Sequence, residues 1–178
     1  KAIHPAFKIK SKDLINLTKF DLTCSKGKVS SLFAAILFNL SGLAIEGIRE
    51  RLNFMGRESK LITDIKLIKS IIKDLGSFQT KPSIVYNLLN DLHLSSIEGC
   101  ALVTEDSIIR ENLCLYLSQL RHMKTFLDGS DIIEMGVPAG PMVGELLSNL
   151  LEARLDGLIS TRDDEQKYAA HKIIEKLS

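Results

Sequence analysis

Leu61-Ile62-Thr63-Asp64-Ile65-Lys66-Leu67-Ile68-Lys69-Ser70-Ile71-Ile72-Lys73-Asp74-Leu75 is the stretch that decides the fold. Leu61, Ile65, Ile68, Ile72 and Leu75 recur at intervals of 4, 3, 4 and 3, the period of a helix with one apolar stripe. Lys60, Asp64, Lys66, Lys69 and Lys73 stand off that stripe and are expected to face solvent. Two heptads are too short for a coiled coil, so the stripe predicts a helix packed on a core. Gly76 is its natural stop.

The same period returns on both sides. Val29, Leu32, Phe33, Ile36, Leu37 and Leu40 predict an earlier helix that Gly42 stops or bends. A shorter helix is expected over 43–52, although Gly47 weakens it by about 1 kcal/mol relative to Ala. Thr80-Lys81-Pro82-Ser83 predicts a helix start with proline in the first turn, burying Ile84, Val85, Leu88, Leu89 and Leu92. Ser95 and Glu98 have capping-box spacing for a helix to Val103. Asp106 or Ser107 can cap a long run over 108–124, in which Ile109, Leu113, Tyr116, Leu117, Leu120 and Met123 share a face. Residues 1–27 read as a lead-in with one or two helical turns over 13–17. No segment reads convincingly as a strand. The prediction is an all-α, multi-helix array with short links and no sheet.

Composition supports this reading. Apolar residues make up 45% of the 178, enough for a sizeable core and too many for a disordered chain. There is no Trp, aromatics are 6%, and abundant Leu and Ile suit helix packing. No apolar run approaches the roughly 20 residues of a membrane span, and nothing resembles a signal peptide. The chain opens at Lys1, which reads as a domain boundary with sequence upstream. Cys24, Cys100 and Cys114 are far apart without a CxxC, the pattern of reduced thiols in a cytoplasmic protein. Cys100 and Cys114 fall in apolar helical stretches, as core fillers do. The net charge of +1 hides an asymmetry: residues 1–75 hold 14 Lys/Arg against 7 Asp/Glu, whereas 76–120 and 121–178 are each net −3. A basic half is compatible with a phosphate-backbone partner, although composition alone favours an unevenly charged solvated surface.

The interval 129–165 differs in texture. It carries Gly129, Gly136, Gly140, Gly144 and Gly157, five of the eleven glycines, with Pro138 and Pro141. In order it reads Gly129-Ser130-Asp131-Ile132, Gly136-Val137-Pro138-Ala139-Gly140-Pro141, Gly144-Glu145-Leu146-Leu147, Glu152-Ala153-Arg154-Leu155-Asp156-Gly157 and Thr161-Arg162. This series resembles the tail of bacterial class II tRNA nucleotidyltransferases and their poly(A) polymerase relatives. They carry a Gly-x-Asp-Leu, Gly-x-x-Pro-Gly-Pro-x-x-Gly, Ala-x-Leu-Asp-Gly, Thr-Arg-x-x-Glu succession near the C-terminus. More loosely, Ile3-His4-Pro5 resembles the junction of neck and body, and Leu32 to Leu40, Arg51-Leu52 through Leu75 and Lys81-Pro82-Ser83-Ile84-Val85-Tyr86 resemble body helices. Ile132 in place of Leu, and Ala139 before Gly140-Pro141, are mild departures. The larger one is that no Asp-x-Asp pair occurs, whereas the family's catalytic head holds two metal ions on paired aspartates.

The resemblance implies a helical body over 1–124 and a helical tail over 125–178, with the family's C-terminal architecture. It implies a non-catalytic segment that positions RNA, tRNA or another, through its phosphate backbone for nucleotide addition at the 3′ end. Head and neck domains, with Mg2+ in the head, would lie on the N-terminal side. CCA addition, A addition and poly(A) synthesis are not distinguishable from this segment. The RNA-binding candidates are Arg121, Lys124, Gly140, Arg154 and Arg162. Arginine's fork suits phosphate, and a helix opened by Gly140-Pro141 offers amides to an anion. Each has a plainer reading. Gly140-Pro141 can be a tight turn, Arg154 can pair with Glu152, Asp156 or Asp163, and long helices often carry charges such as Arg121 and Lys124. Asp131 is expected to N-cap a short helix over 132–135 ended by Gly136, Gly144 to allow close packing, and Thr161 to cap the last helix. His4, His93, His122 and His171 have no metal-ligand spacing, no nucleophilic motif stands out, and no catalytic, metal or cofactor residue is assigned. The competing expectation is a dimerisation or partner-docking bundle without an RNA role.

Overall fold

The stripe from Leu61 to Leu75 lies on the longest helix. Leu61, Ile65, Ile68 and Leu75 are buried on it, and Ile72 packs at its edge. The computed structural model describes residues 28–53, 55–77 and 79–177. The lead-in over 1–27, with the turns expected over 13–17, Ile3-His4-Pro5 and Cys24, lies outside the described residues. Those residues form nine α-helices and no strand: α1 (Lys28–Phe38), α2 (Gly42–Leu52), α3 (Arg57–Leu75), α4 (Pro82–Leu89), α5 (Leu94–Val103), α6 (Ser107–Ser118), α7 (Gly129–Glu134), α8 (Pro141–Leu155) and α9 (Arg162–Leu177). A 3-10 turn, Leu120–His122, follows α6. No described helix is long and apolar enough to cross a membrane.

Two main cores are built from these helices, beside a small cluster of Ala35, Leu102 and Val103. The first gathers Ala34, Leu37, Ile45, Ile48, Ile65, Ile68, Val85, Leu89, Ile97, Cys100 and Leu113 from α1 to α6. The second gathers Ile132, Val143, Leu146, Leu150, Ala169 and Ile173 from α7, α8 and α9, with Leu127 from the segment before α7. Leu155 at the end of α8 belongs to the first core and Leu146 and Leu150 to the second, so α8 touches both. α5 is the central element. Nearly all its residues are buried, which is why its sequence shows no amphipathic stripe. α1 crosses it where Gly99 meets Ala34 and Ala35.

Several boundaries differ from expectation. Gly42 opens α2, with Ser41 accepting from the Ala44 amide as N-cap, while α1 has already ended at Phe38. Gly76 ends α3 as expected, and Asp106 caps α6 through the Ile108 and Ile109 amides. The run over 108–124 breaks after Ser118, and Leu120 turns inward to be buried. The Ser95–Glu98 capping box does not form. His93 is the N-cap and its Nδ1 accepts from the Ser95 amide, while Glu98 reaches α1 and accepts from Ser31 Oγ at 2.5 Å. Val29 and Ile84, expected on buried faces, are exposed. Cys100 is buried, and burial pushes its thiol pKa up. Cys114 is half-buried.

Two helix starts are capped from elsewhere in the fold. Asp64, expected in solvent, is buried, because α5 begins directly over it. Its Oδ2 accepts from the His93 amide at 2.8 Å, and its Oδ1 meets Lys60 Nζ at 2.7 Å. At α4, Lys81 gives no side-chain cap, and Asp156 supplies it from the end of α8. Ser83 donates its amide to Asp156 Oδ1 and its hydroxyl to Oδ2, both at 2.9 Å, placing a carboxylate at the positive end of α4. Asn87 Nδ2 to Glu152 Oε1 at 2.8 Å repeats the link one turn along. Asp156→Ala is expected to lower stability by about 1–2 kcal/mol, read as a lower urea midpoint at unchanged slope. An unchanged midpoint would show that water caps α4 equally well.

Candidate nucleic-acid interface

The glycine-rich interval folds as a set of helix terminators. Gly136, at φ 96°, follows α7, with its amide on the Ile133 carbonyl and the Val137 amide on the Ile132 carbonyl. Gly157, at φ 72°, follows α8 in the same way, its amide on Arg154 and that of Leu158 on Ala153. Both are left-handed C-terminal stops, which favour glycine. Gly140 precedes Pro141 with φ 154° and is exposed. Gly144 is not a close-packing glycine, since a Cβ there would meet nothing within 4 Å; the close approach is at Gly99.

Asp131 is not the cap of α7. Asp128 takes that place, accepting from the Ser130 and Asp131 amides, and Asp131 returns the contact to the Asp128 amide to close a capping box. The second Asp131 oxygen is thereby free to accept from Arg162 at 2.6 Å. Thr161 does cap α9. Its Oγ1 accepts from the Asp164 amide at 3.1 Å, and Asp164 Oδ2 accepts from the Thr161 amide at 3.0 Å.

Around the link 123–128, between the 3-10 turn and α7, the two tail arginines come together. Glu165, 0% exposed, accepts through Oε2 from the Phe126 and Leu127 amides at 2.8 and 2.9 Å. Its Oε1 accepts from Arg154 Nη1 at 3.0 Å. The Arg154 guanidinium also lies 3.8 Å from the centre of the Phe126 ring, a cation–π contact. Arg162 donates from Nη1 to the Phe126 carbonyl at 3.2 Å while its Nη2 holds Asp131. The backbone of the link is thus hydrogen-bonded on both its amide and carbonyl sides by residues of α9, and its ring is backed by α8.

Of the five candidates, Arg154 has Glu165 as its partner and is half-buried. Glu152, Asp156 and Asp163 are not that partner. Arg162 keeps 54% of its side chain exposed beside Asp131. Arg121 lies in the 3-10 turn and donates from Nε to His122 Nε2 at 2.9 Å. It also opposes the rise in the Tyr116 phenol pKa that burial and then Tyr86 produce. Lys124 is exposed on the link itself and makes no ion pair among the described residues. Gly140 opens the helix that Arg154 nearly closes, about 21 Å away along its axis at 1.5 Å per residue. Lys124 therefore lies on the link, Arg154 and Arg162 lie against it, Arg121 precedes it in the 3-10 turn, and Gly140 is apart. Sequence reasoning missed Glu165 and Phe126. The signal for Glu165 is its place four residues before Ala169 and eight before Ile173, an acid on a buried stripe.

No family model matches the chain, and no solved structure does. Among curated proteins it is similar to an A-adding tRNA nucleotidyltransferase of Geobacter sulfurreducens, 28% identical over 166 residues. That alignment covers 86% of this chain and 18% of the relative, so the chain spans about a fifth of the length of the protein it matches.

Proposed function

We propose that this chain is a C-terminal, non-catalytic segment that holds RNA for a template-independent nucleotidyltransferase acting on RNA 3′ ends. The observation that carries the reading is the similarity to a tRNA nucleotidyltransferase over 86% of the chain, which the order of the tail motifs parallels. In this reading residues 1–124 are the body, 125–178 the tail, and tRNA is the leading candidate among RNA partners. The metal-dependent chemistry belongs to head and neck domains on the N-terminal side, and the protein works in the cytoplasm. The body and tail grip the backbone of an A-form helix by shape and charge, not by reading base edges. Arg121, Lys124 and Arg162 are the contacts, and Arg154 serves as a strut behind them. The α8 start at Gly140 offers a second, separate approach to phosphate.

Lys124 gives the cleanest test because it sits in solvent and supports nothing else in the fold. Lys124→Ala is expected to leave thermal unfolding unchanged. In a salt titration of RNA binding, it should make the slope of log K against log[salt] shallower by about 0.7–0.9, one released counterion. A parent chain that shows no salt-sensitive RNA affinity, and runs as a stable dimer on gel filtration, would replace this reading with the docking-bundle alternative.

A further inference from the structure

Phe126 is an aromatic side chain held rigid yet left 46% exposed. Its amide is fixed by Glu165 and its carbonyl by Arg162. One face of its ring is covered by the Arg154 guanidinium at 3.8 Å, so the exposed area belongs to the opposite face and the edges. Exposing an apolar ring costs solvation free energy, and packing it against a charged group whose own partner is a buried carboxylate only fixes its direction. The surrounding charge also has a sign. Residues 119–127 carry Arg121, His122 and Lys124 and no acid. The neighbouring acids are already engaged: Glu165 is buried with Arg154, Asp131 pairs with Arg162, and Asp128 caps α7.

We infer that Phe126 is a stacking platform for one unpaired nucleobase of a bound RNA, with Lys124 and Arg162 taking the flanking phosphates. The inference rests on the RNA-holding reading above and narrows it: the segment would grip a loop or a single-stranded junction as well as a duplex. A ring face with a cation behind it and cations beside it fits a base, which brings both a π-face and phosphates. A protein partner would supply apolar cover without needing that charge.

The test uses the full chain, with an RNA hairpin carrying an unpaired purine loop and a blunt RNA duplex of equal phosphate number. The chain has no Trp, so F126W carries a single fluorescent reporter at the platform. Phe126→Leu, which keeps apolar bulk and loses the π-face, is expected to weaken hairpin binding about ten-fold, or about 1.4 kcal/mol, with duplex affinity unchanged. F126W is expected to bind the hairpin as the parent does, with indole emission quenched by the hairpin and not by the duplex. Equal losses on hairpin and duplex, or none, would remove the platform while leaving a backbone grip in place. A parent that binds neither RNA would remove both. Emission from F126W that shifts to the blue with protein concentration alone would assign the ring to a contact between copies and overturn the proposal.

Discussion

Glu165→Ala is expected to cost roughly 3–5 kcal/mol, the range for removing one partner of a buried ion pair. The carboxylate satisfies three donors: the Phe126 amide, the Leu127 amide and Arg154. Alanine would strand two amides and a guanidinium around a void. Against a typical domain stability of about 5–15 kcal/mol, that is a large share, and it should appear in urea unfolding monitored by far-ultraviolet circular dichroism. Glu165→Gln keeps one acceptor oxygen and the volume but neutralises the partner of Arg154, so it should fall between parent and alanine variant. Asp163→Ala is the control two residues away. Asp163 pairs with Lys167 on the exposed side of α9, both side chains at least three-quarters in solvent, and its loss should cost less than about 0.5 kcal/mol. The substitution at Glu165 also frees the segment that carries Lys124 and Phe126. RNA affinity should therefore fall further in Glu165→Ala than in Lys124→Ala, although Glu165 itself is sealed from any ligand. If Glu165→Ala unfolds within 1 kcal/mol of the parent, water must satisfy the link, and the clamp is not what orders it.

The all-helical array was legible because its signal is local. The 4-3-4-3 spacing on α3 needs no knowledge of what it packs against, and neither do Gly76 as a terminator nor Pro82 as the first residue of α4. Asp64 shows where local rules stop. It sits within one turn of Leu61 and Ile68 on the same face of α3, and the arrival of the α5 start, added to the local Lys60 pair, makes a charge acceptable there. Glu98 fails in the same way. Its spacing from Ser95 suits a cap, but α1 brings Ser31 to it across the fold. Gln119 breaks α6 without a glycine or proline, because Leu120 gains more by burial in the first core than by continuing the helix.

The candidate interface was legible by type and not by role. The motif residues Asp131, Arg154, Asp156 and Arg162 are all engaged, and each of them joins segments that are distant in sequence. Asp156 reaches Ser83, Arg162 reaches Phe126 and Asp131, and Arg154 stacks on Phe126. A motif whose side chains serve one another keeps its order and spacing for structural reasons. Of the residues left to meet a ligand, Lys124 and Phe126 lie outside every motif, and Arg162 is the motif residue that keeps most of its side chain in solvent. The gap follows from chemistry: a buried carboxylate demands particular partners, whereas a phosphate accepts any nearby cation.

Gly99→Ala carries the other large expected effect, and its sign is decided by competition. In the middle of α5, alanine should gain about 1 kcal/mol over glycine by helix propensity. The added Cβ, however, would lie 2.5 Å from the Cβ of Ala34, 2.7 Å from the Ala35 nitrogen and 2.7 Å from the Ser31 carbonyl oxygen. Two of those atoms are backbone, and the third is a Cβ that cannot rotate away. Relief would require α1 to lift from α5, loosening the Ser31–Glu98 hydrogen bond and the packing of Ala34 and Leu37, both fully buried. Overpacking of this kind costs about 1–3 kcal/mol and occasionally more, and rigid neighbours place this site at the upper end. The net expectation is a loss of about 2 kcal/mol in urea unfolding. Gly144→Ala is the matched experiment. It too lies inside a helix, but its Cβ would meet nothing within 4 Å, so propensity acts alone and the variant should gain about 0.5–1 kcal/mol. Opposite signs for the two substitutions would place the tight helix crossing at α1 and α5, whereas a gain in both would mean that α1 does not pack on α5 at this distance.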